Sequence, residues 1–196
     1  MPSVNYDSKT ALIIVDVQND FADPQGSLYV KGGEEVVPEI NTQIDAARAA
    51  GARVAYTADW HPESTPHFQK DGGIWPVHCV GQTWGAEFHS DLVVDGPVVR
   101  KGTNGEDGYS GFTMQDPVTQ EPSPTELAPL LREWGIERIV VVGLATDYCV
   151  KDTALDGITA GFEVQLLTDA VRAVDLTEGD GNRALAAVEA AGGRVV

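Results

Sequence analysis

Thr10 to Val15 (TALIIV) is an unbroken apolar, β-branched run without polar alternation, the pattern of a strand buried on both faces of a parallel sheet. Arg53 to Ala58 (RVAYTA), Arg138 to Val142 (RIVVV) and Glu163 to Leu167 (EVQLL) repeat it. Between the first two runs, Val37, Ile40, Ile44 and Ala47 recur at helical spacing and predict a helix ending before Gly51. Ser123-Pro124-Thr125-Glu126 has the order of a capping box, with Ser at the N-cap, Pro at N1 and Glu at N3, opening a second helix that ends at Gly135. A third helix is expected from Cys149 to near Gly161, and a fourth from Arg183 to Ala191 before a terminal strand at Arg194 to Val196. This alternation predicts an α/β fold, a three-layer doubly wound sheet, mainly parallel, with helices on both faces. The length predicts a single domain over residues 1–196.

Two stretches break the rhythm. Asp59 to Pro97 holds all four histidines and three of the four tryptophans, and an irregular segment of that length inside a compact domain is usually functional. Gly102 to Pro124 is rich in Gly, Asp and Pro and reads as a second surface loop.

Ligands of open parallel sheets sit beyond the carboxyl ends of the strands, so the residues there carry the candidate chemistry. Asp16 follows the first strand, Asp59 the second, Lys101 the Pro97-Val98-Val99 run, and Cys149 the Ile139-to-Gly143 run. A cysteine opening a helix gains thiolate character from the unpaired amides, an ammonium would add to this, and a carboxylate could take the thiol proton. On the residues alone, Cys149 reads more readily as one more buried small side chain and Lys101 as a surface lysine with a buried stem. Asp59, His61, His67 and His78 read either as solvated loop groups or as a site for zinc, iron or manganese. Cys79 reads as a core residue and His89 as a solvated loop histidine.

Composition narrows the partners. Thirty acidic against thirteen basic residues give a net charge of -17, a field that repels nucleic acid and anionic membrane surfaces. The opening residues lack a basic stretch before the short apolar run and read as a strand rather than a signal peptide, and no apolar run approaches a bilayer span. Two cysteines without a secretory signal point to a reducing cytoplasm.

The segments IIVDVQNDF (13–21) with Gly26-Ser27-Leu28, TADWHP (57–62), WPVHCV (75–80), RKG (100–102), YSGF (109–112) and VVGLATDYCV (141–150) together resemble the isochorismatase-like hydrolase superfamily, and within it the nicotinamidases. The resemblance runs from Leu12 to about Asp169. It implies hydrolysis of nicotinamide to nicotinate and ammonia in NAD salvage, with pyrazinamide also accepted. It implies a catalytic triad of Asp16, Lys101 and Cys149, and a cis peptide before Ala145 that presents the amides of Ala145 and Cys149 as an oxyanion hole. It implies one divalent metal ion, with zinc foremost and iron or manganese as alternatives, on Asp59, His61 and His78, with His67 matching a further ligand of some members. Phe21, Trp75 and Tyr109 match ring-lining aromatics and Leu28 an apolar wall residue. Tyr148 stands where some members have a histidine, which leaves its contact with substrate open.

Three other readings remain at this level. A relative acting on an N-carbamoyl or ureido substrate would share the triad but generally lacks the Asp-x-His and later His. A non-catalytic binding protein would be expected to have lost part of the triad. A redox sensor would need a resolving cysteine, and none lies beside Cys149 in the sequence. Oligomeric state, including a homo-oligomer, is left open.

Overall fold

The computed structural model describes residues 4–196. The reading of the opening residues rests partly on residues 1–3, which lie outside the described residues. In chain order the elements are β1 (Thr10–Val15), α1 (Asn19–Ala22), α2 (Val36–Ala49), β2 (Arg53–Asp59), β3 (Val98–Lys101), β4 (Thr113–Gln115), β5 (Pro122–Pro124), α3 (Leu127–Glu133), β6 (Arg138–Leu144), α4 (Lys151–Thr159), β7 (Glu163–Arg172), α5 (Asp180–Ala190) and β8 (Arg194–Val195). Six strands form one parallel sheet in the order β3-β2-β1-β6-β7-β8, and β4 and β5 form a separate antiparallel pair.

Successive β1 side chains point to opposite faces, and both faces are covered. Leu12 and Ile14 join Val140, Val142 and the α2 residues Val36, Val37, Ile40 and Ile44 in one buried cluster. Ala11, Ile13 and Val15 join Ile139, Val141 and residues of α3, α4 and α5 in the other. Burial on both sides is why these strands read as continuous apolar runs. Cys79 is fully buried in the first cluster, and His89, expected to be a solvated loop histidine, is half-buried. Among the described residues no helix is long and apolar enough to cross a membrane.

Four boundaries differ from those expected. Ser123 is not an N-cap: it lies in β5 opposite Met114, and α3 starts three residues after Pro124, where Thr125 Oγ1 accepts from the Leu127 amide at 3.2 Å. Cys149 does not open an α-helix; it sits inside a wider turn, Thr146–Val150, with five-residue hydrogen-bond spacing, and α4 begins at Lys151. β7 continues past Leu167 to Arg172, through the exposed pair Thr168-Asp169 that hid the continuation. The last helix, α5, begins at Asp180 rather than Arg183.

Candidate active site

The chain turns to one side of β1 for β2 and β3, then to the other for β6, β7 and β8, so the order reverses between β1 and β6. Opposite Val15, at that junction, stands Gly143 with φ +113°; a Cβ there would meet the Val15 carbonyl oxygen at 2.1 Å. Only glycine lets the two strand ends approach so closely. Asp16 is the next residue after β1 and takes φ +49°, a left-handed conformation that Asp tolerates better than most residues. This turn aims its carboxylate across the ends of β2 and β3.

Lys101, the last residue of β3, is 1% exposed. Its Nζ lies 2.7 Å from Asp16 Oδ2, contacts Asp59 Oδ1, and donates to Cys149 Sγ at 3.5 Å. Thr57, two residues before Asp59 on the same strand face, donates to Asp16 Oδ1 at 2.7 Å. Apart from the ion pair, Asp16 Oδ2 has no hydrogen-bond partner. Asp16, Asp59 and Cys149 each place an atom within 4.8 Å of the others, close enough to hold a cation. The Lys101 ammonium already fills that place, which accounts for a lysine buried this deeply.

Burial pushes the Asp16 carboxyl above the usual range, with Lys101 opposing it. Burial also works against the charge on Asp59, but Lys101, His61 and His78 outweigh it and hold that carboxyl well below the ordinary value. The same balance keeps Lys101 well above the ordinary ammonium range: burial opposes its charge, and Asp16 and Asp59 prevail. At Cys149 burial pushes the thiol well above its usual range; Lys101 acts the other way, and the two carboxylates reinforce the rise. The low-pKa thiol expected from a helix start is therefore not what this site holds. Its resting form is a thiol beside a carboxylate whose own affinity for a proton has been raised.

Beyond Asp59 lies a second cluster. His61, His67 and His78 place ring nitrogens within 4.8 Å of one another, and Asp59 Oδ2 lies 3.6 Å from His61 Nε2 and 3.8 Å from His78 Nε2. Both ring nitrogens of His61 are buried without a hydrogen-bond partner. Burial pushes this imidazole toward the neutral form, against the pull of Asp59. Gly102 makes room for the ring, since a Cβ there would sit 2.6 Å from His61 Nδ1. His78 Nδ1 lies 2.7 Å from the Pro76 carbonyl, which leaves its Nε2 lone pair facing Asp59. Three imidazoles plus one carboxylate suit a divalent transition ion, and such an ion would satisfy one of the orphaned nitrogens of His61.

The two clusters share a pocket of about 370 Å³, counted to its open mouth, with Asp59, His67 and His78 on one side and Ala145 and Cys149 on the other. Its walls include the expected Phe21, Leu28, Trp75 and Tyr109, and also Tyr148. Trp75 meets Tyr148 edge-on at 4.9 Å, Tyr148 meets Tyr109 at 5.2 Å, and Phe21 tilts against His78 at 5.4 Å. Burial pushes the Tyr109 hydroxyl up to about 12, so it stays neutral and accepts from Trp75 Nε1 at 3.0 Å. The Leu144-Ala145 peptide bond is cis.

Sequence reasoning missed part of the lining, Val30, Leu144 and Val174, and the groups that hold the frame. The Gln18 side chain accepts from the Asp59 amide at 2.8 Å and donates to the Asp59 and Ala86 carbonyls at 2.7 and 2.9 Å. Asp20 accepts from the Ser27 and Cys79 amides at 3.0 and 2.7 Å, joining the loop before Leu28 to the segment carrying His78. Both are polar residues that lie buried three and five positions after an apolar strand, Asp20 within α1.

The family model described as the isochorismatase domain matches residues 10–196. A nicotinamidase of Escherichia coli is 35% identical over 93% of this chain and 92% of its own. The crystal structure of a pyrazinamidase of Pyrococcus horikoshii in complex with zinc has a TM-score of 0.86 at 41% identity, covering 96% of this chain and 98% of that one. A protein of L. infantum solved in complex with nicotinate has a TM-score of 0.87 at 39% identity, covering 98% and 95%. The strand-end cluster and the histidine group thus sit on a known scaffold, and the chain belongs to the isochorismatase domain family, among nicotinamidase and pyrazinamidase relatives.

Proposed function

We propose that this chain is a nicotinamidase, a single-domain amide hydrolase that converts nicotinamide to nicotinate and ammonia, serves NAD salvage, and also accepts pyrazinamide. The observation that carries this reading is Asp59, which gives one oxygen to the Lys101–Asp16–Cys149 cluster and the other to the histidines, so that both clusters face one pocket walled by aromatic side chains.

In the first half-reaction the Cys149 sulfur attacks the amide carbon as its proton passes to Asp16 Oδ2, and Lys101 stabilises the developing thiolate. The backbone amides of Ala145 and Cys149 hold the oxyanion. Asp16 returns the proton to the amide nitrogen, the carbon–nitrogen bond breaks, and ammonia leaves a thioester. In the second half-reaction Asp16 takes a proton from water, the hydroxide equivalent adds to the thioester carbon, and nicotinate leaves as the thiol is restored. Burial raises the proton affinity of Asp16 and makes it a better acceptor for the thiol proton, while the rise at Cys149 opposes ionisation and is countered by the Lys101 ammonium. His61, His67, His78 and Asp59 would hold a divalent ion, zinc foremost, which supplies a Lewis-acid contact for the ring nitrogen and so orients the amide. Phe21, Trp75, Tyr109 and Tyr148 hold the ring faces, and Leu28 closes the apolar wall. A thiol in this role suits a reducing, cytoplasmic setting.

The test is ammonia release by purified, zinc-loaded protein from nicotinamide, pyrazinamide and an N-carbamoyl amide. Turnover is expected on the first two and not on the third. Cys149→Ala should lower kcat on the order of 10⁶-fold with its circular dichroism unchanged. Wild-type turnover by that variant, or preference for the N-carbamoyl amide, would overturn the reading.

A further inference from the structure

His67 differs from the other two histidines in what holds it. His78 is set by the Pro76 carbonyl two residues away, and His61 by its position beside Asp59. His67 Nδ1 instead lies 2.6 Å from Oδ1 of Asp107, forty residues on, in the loop between β3 and β4. A carboxylate accepts and does not donate, so Nδ1 carries the proton and the lone pair is on Nε2. The ring is stacked on His61 at 5.0 Å between centroids.

Asp107 is itself firmly placed. Its amide donates to the Gln115 carbonyl at 2.8 Å, and the Gln115 amide returns the bond at 2.7 Å. Its Oδ1 also accepts from the Gly108 amide at 2.8 Å. Two further ties join the same pair of loops: Thr65 Oγ1 donates to the Gly105 carbonyl at 3.2 Å, and Trp75 Nε1 donates to Tyr109 Oη at 3.0 Å. The Trp75 amide in turn reaches the His67 carbonyl at 3.4 Å. His67, Asp107, Tyr109 and Trp75 thus form a closed circuit, half of it facing the histidine cluster and half of it pocket wall.

We propose that Asp107 is the positioning residue of this site: it fixes the Nδ1–H tautomer and the ring orientation of His67, makes His67 a ligand through Nε2, and links metal affinity to the aromatic wall. The inference rests on reading the histidine cluster as a metal site. It does not rest on which amide is hydrolysed. Partners of this kind on ligating histidines are worth on the order of 10–100-fold in metal affinity.

The experiment strips the protein with a chelator and measures zinc affinity by competition against a chromophoric chelator. The variants are Asp107→Ala, Asp107→Asn, His67→Ala and the double Asp107→Ala/His67→Ala. Asp107→Ala is expected to weaken zinc binding on the order of 10–100-fold. Asp107→Asn, whose amide oxygen accepts the same N–H and which leaves the loop its shape, should recover most of that loss. In the His67→Ala background Asp107→Ala should cost nothing more, because there is no ring left to orient. With cobalt in place of zinc, Asp107→Ala should change the visible absorption bands as His67→Ala does, which general loosening of the loop would not reproduce.

Unchanged zinc affinity in Asp107→Ala, an Asn variant as weak as the Ala variant, or an equal loss in both backgrounds would each overturn the proposal. Because zinc affinity is measured without substrate, failure to hydrolyse nicotinamide would overturn the proposed function and leave this result standing.

Discussion

At Asp16 two properties that usually change together come apart. Its carboxylate is the proposed proton carrier, so Asp16→Asn should lower kcat by roughly 10²–10⁴-fold. The same carboxylate helps to push the Cys149 thiol up, while Lys101 pulls it down. Without it Lys101 acts against Asp59 alone, and the thiolate becomes easier to form. Alkylation of Cys149 by iodoacetamide should therefore follow a pH profile displaced to lower pH in Asp16→Asn, with faster labelling near neutrality, in a protein that no longer turns over. Slower labelling together with lost turnover would show that Asp16 activates the thiol at rest, contrary to the site's electrostatics. Asp16, Lys101 and Cys149 were legible because each ends or follows an apolar strand run. The division of Asp59 between two clusters was not, since spacing does not say which way two carboxylate oxygens face. Thr57 could have been found, as it lies on the same strand face as Asp59.

At the scale of elements, the apolar runs located β1, β2, β6 and the first half of β7 because burial on both faces leaves few polar residues within them. The loop from Asp59 to β3 had no period to read; its frame comes from Gln18, Asp20 and isolated bridges such as His61 with Val80 and Phe68 with Trp75. The capping-box motif misled for a physical reason: Pro122 and Pro124 suit a two-stranded edge as well as a helix start, and β4 takes them. Thr125 does the work assigned to Ser123. Its hydroxyl donates to the Gly111 carbonyl at 2.5 Å and accepts from the Leu127 amide. Thr125→Val should cost about 1–2 kcal/mol of stability, as lost caps do, and Ser123→Ala should stay within about 0.5 kcal/mol. Denaturant midpoints at constant m-value measure both. The reverse order would restore the capping box.

Over the whole molecule, the two apolar clusters that flank the sheet are complete without the histidines, which hang beyond its carboxyl edge on the loop after β2. The fold is therefore not expected to depend on metal as that of a zinc finger does. Binding to the native state alone still stabilises it, by about 2.7 kcal/mol at a hundredfold excess of free ion over Kd. For a chain of 196 residues that corresponds to roughly 5–11 °C in melting temperature. Chelator-stripped protein should keep its far-UV circular dichroism and unfold cooperatively at a temperature lower by that amount, and added zinc should restore it. Asp107→Ala should reduce the zinc-dependent rise while leaving the melting temperature of the stripped protein almost unchanged, because Asp107 is half-buried and belongs to neither cluster. Loss of secondary structure on stripping would make the ion a folding element. A melting temperature indifferent to zinc would mean that His61, His67 and His78 do not form a native metal site, and the orphaned nitrogens of His61 would need another partner.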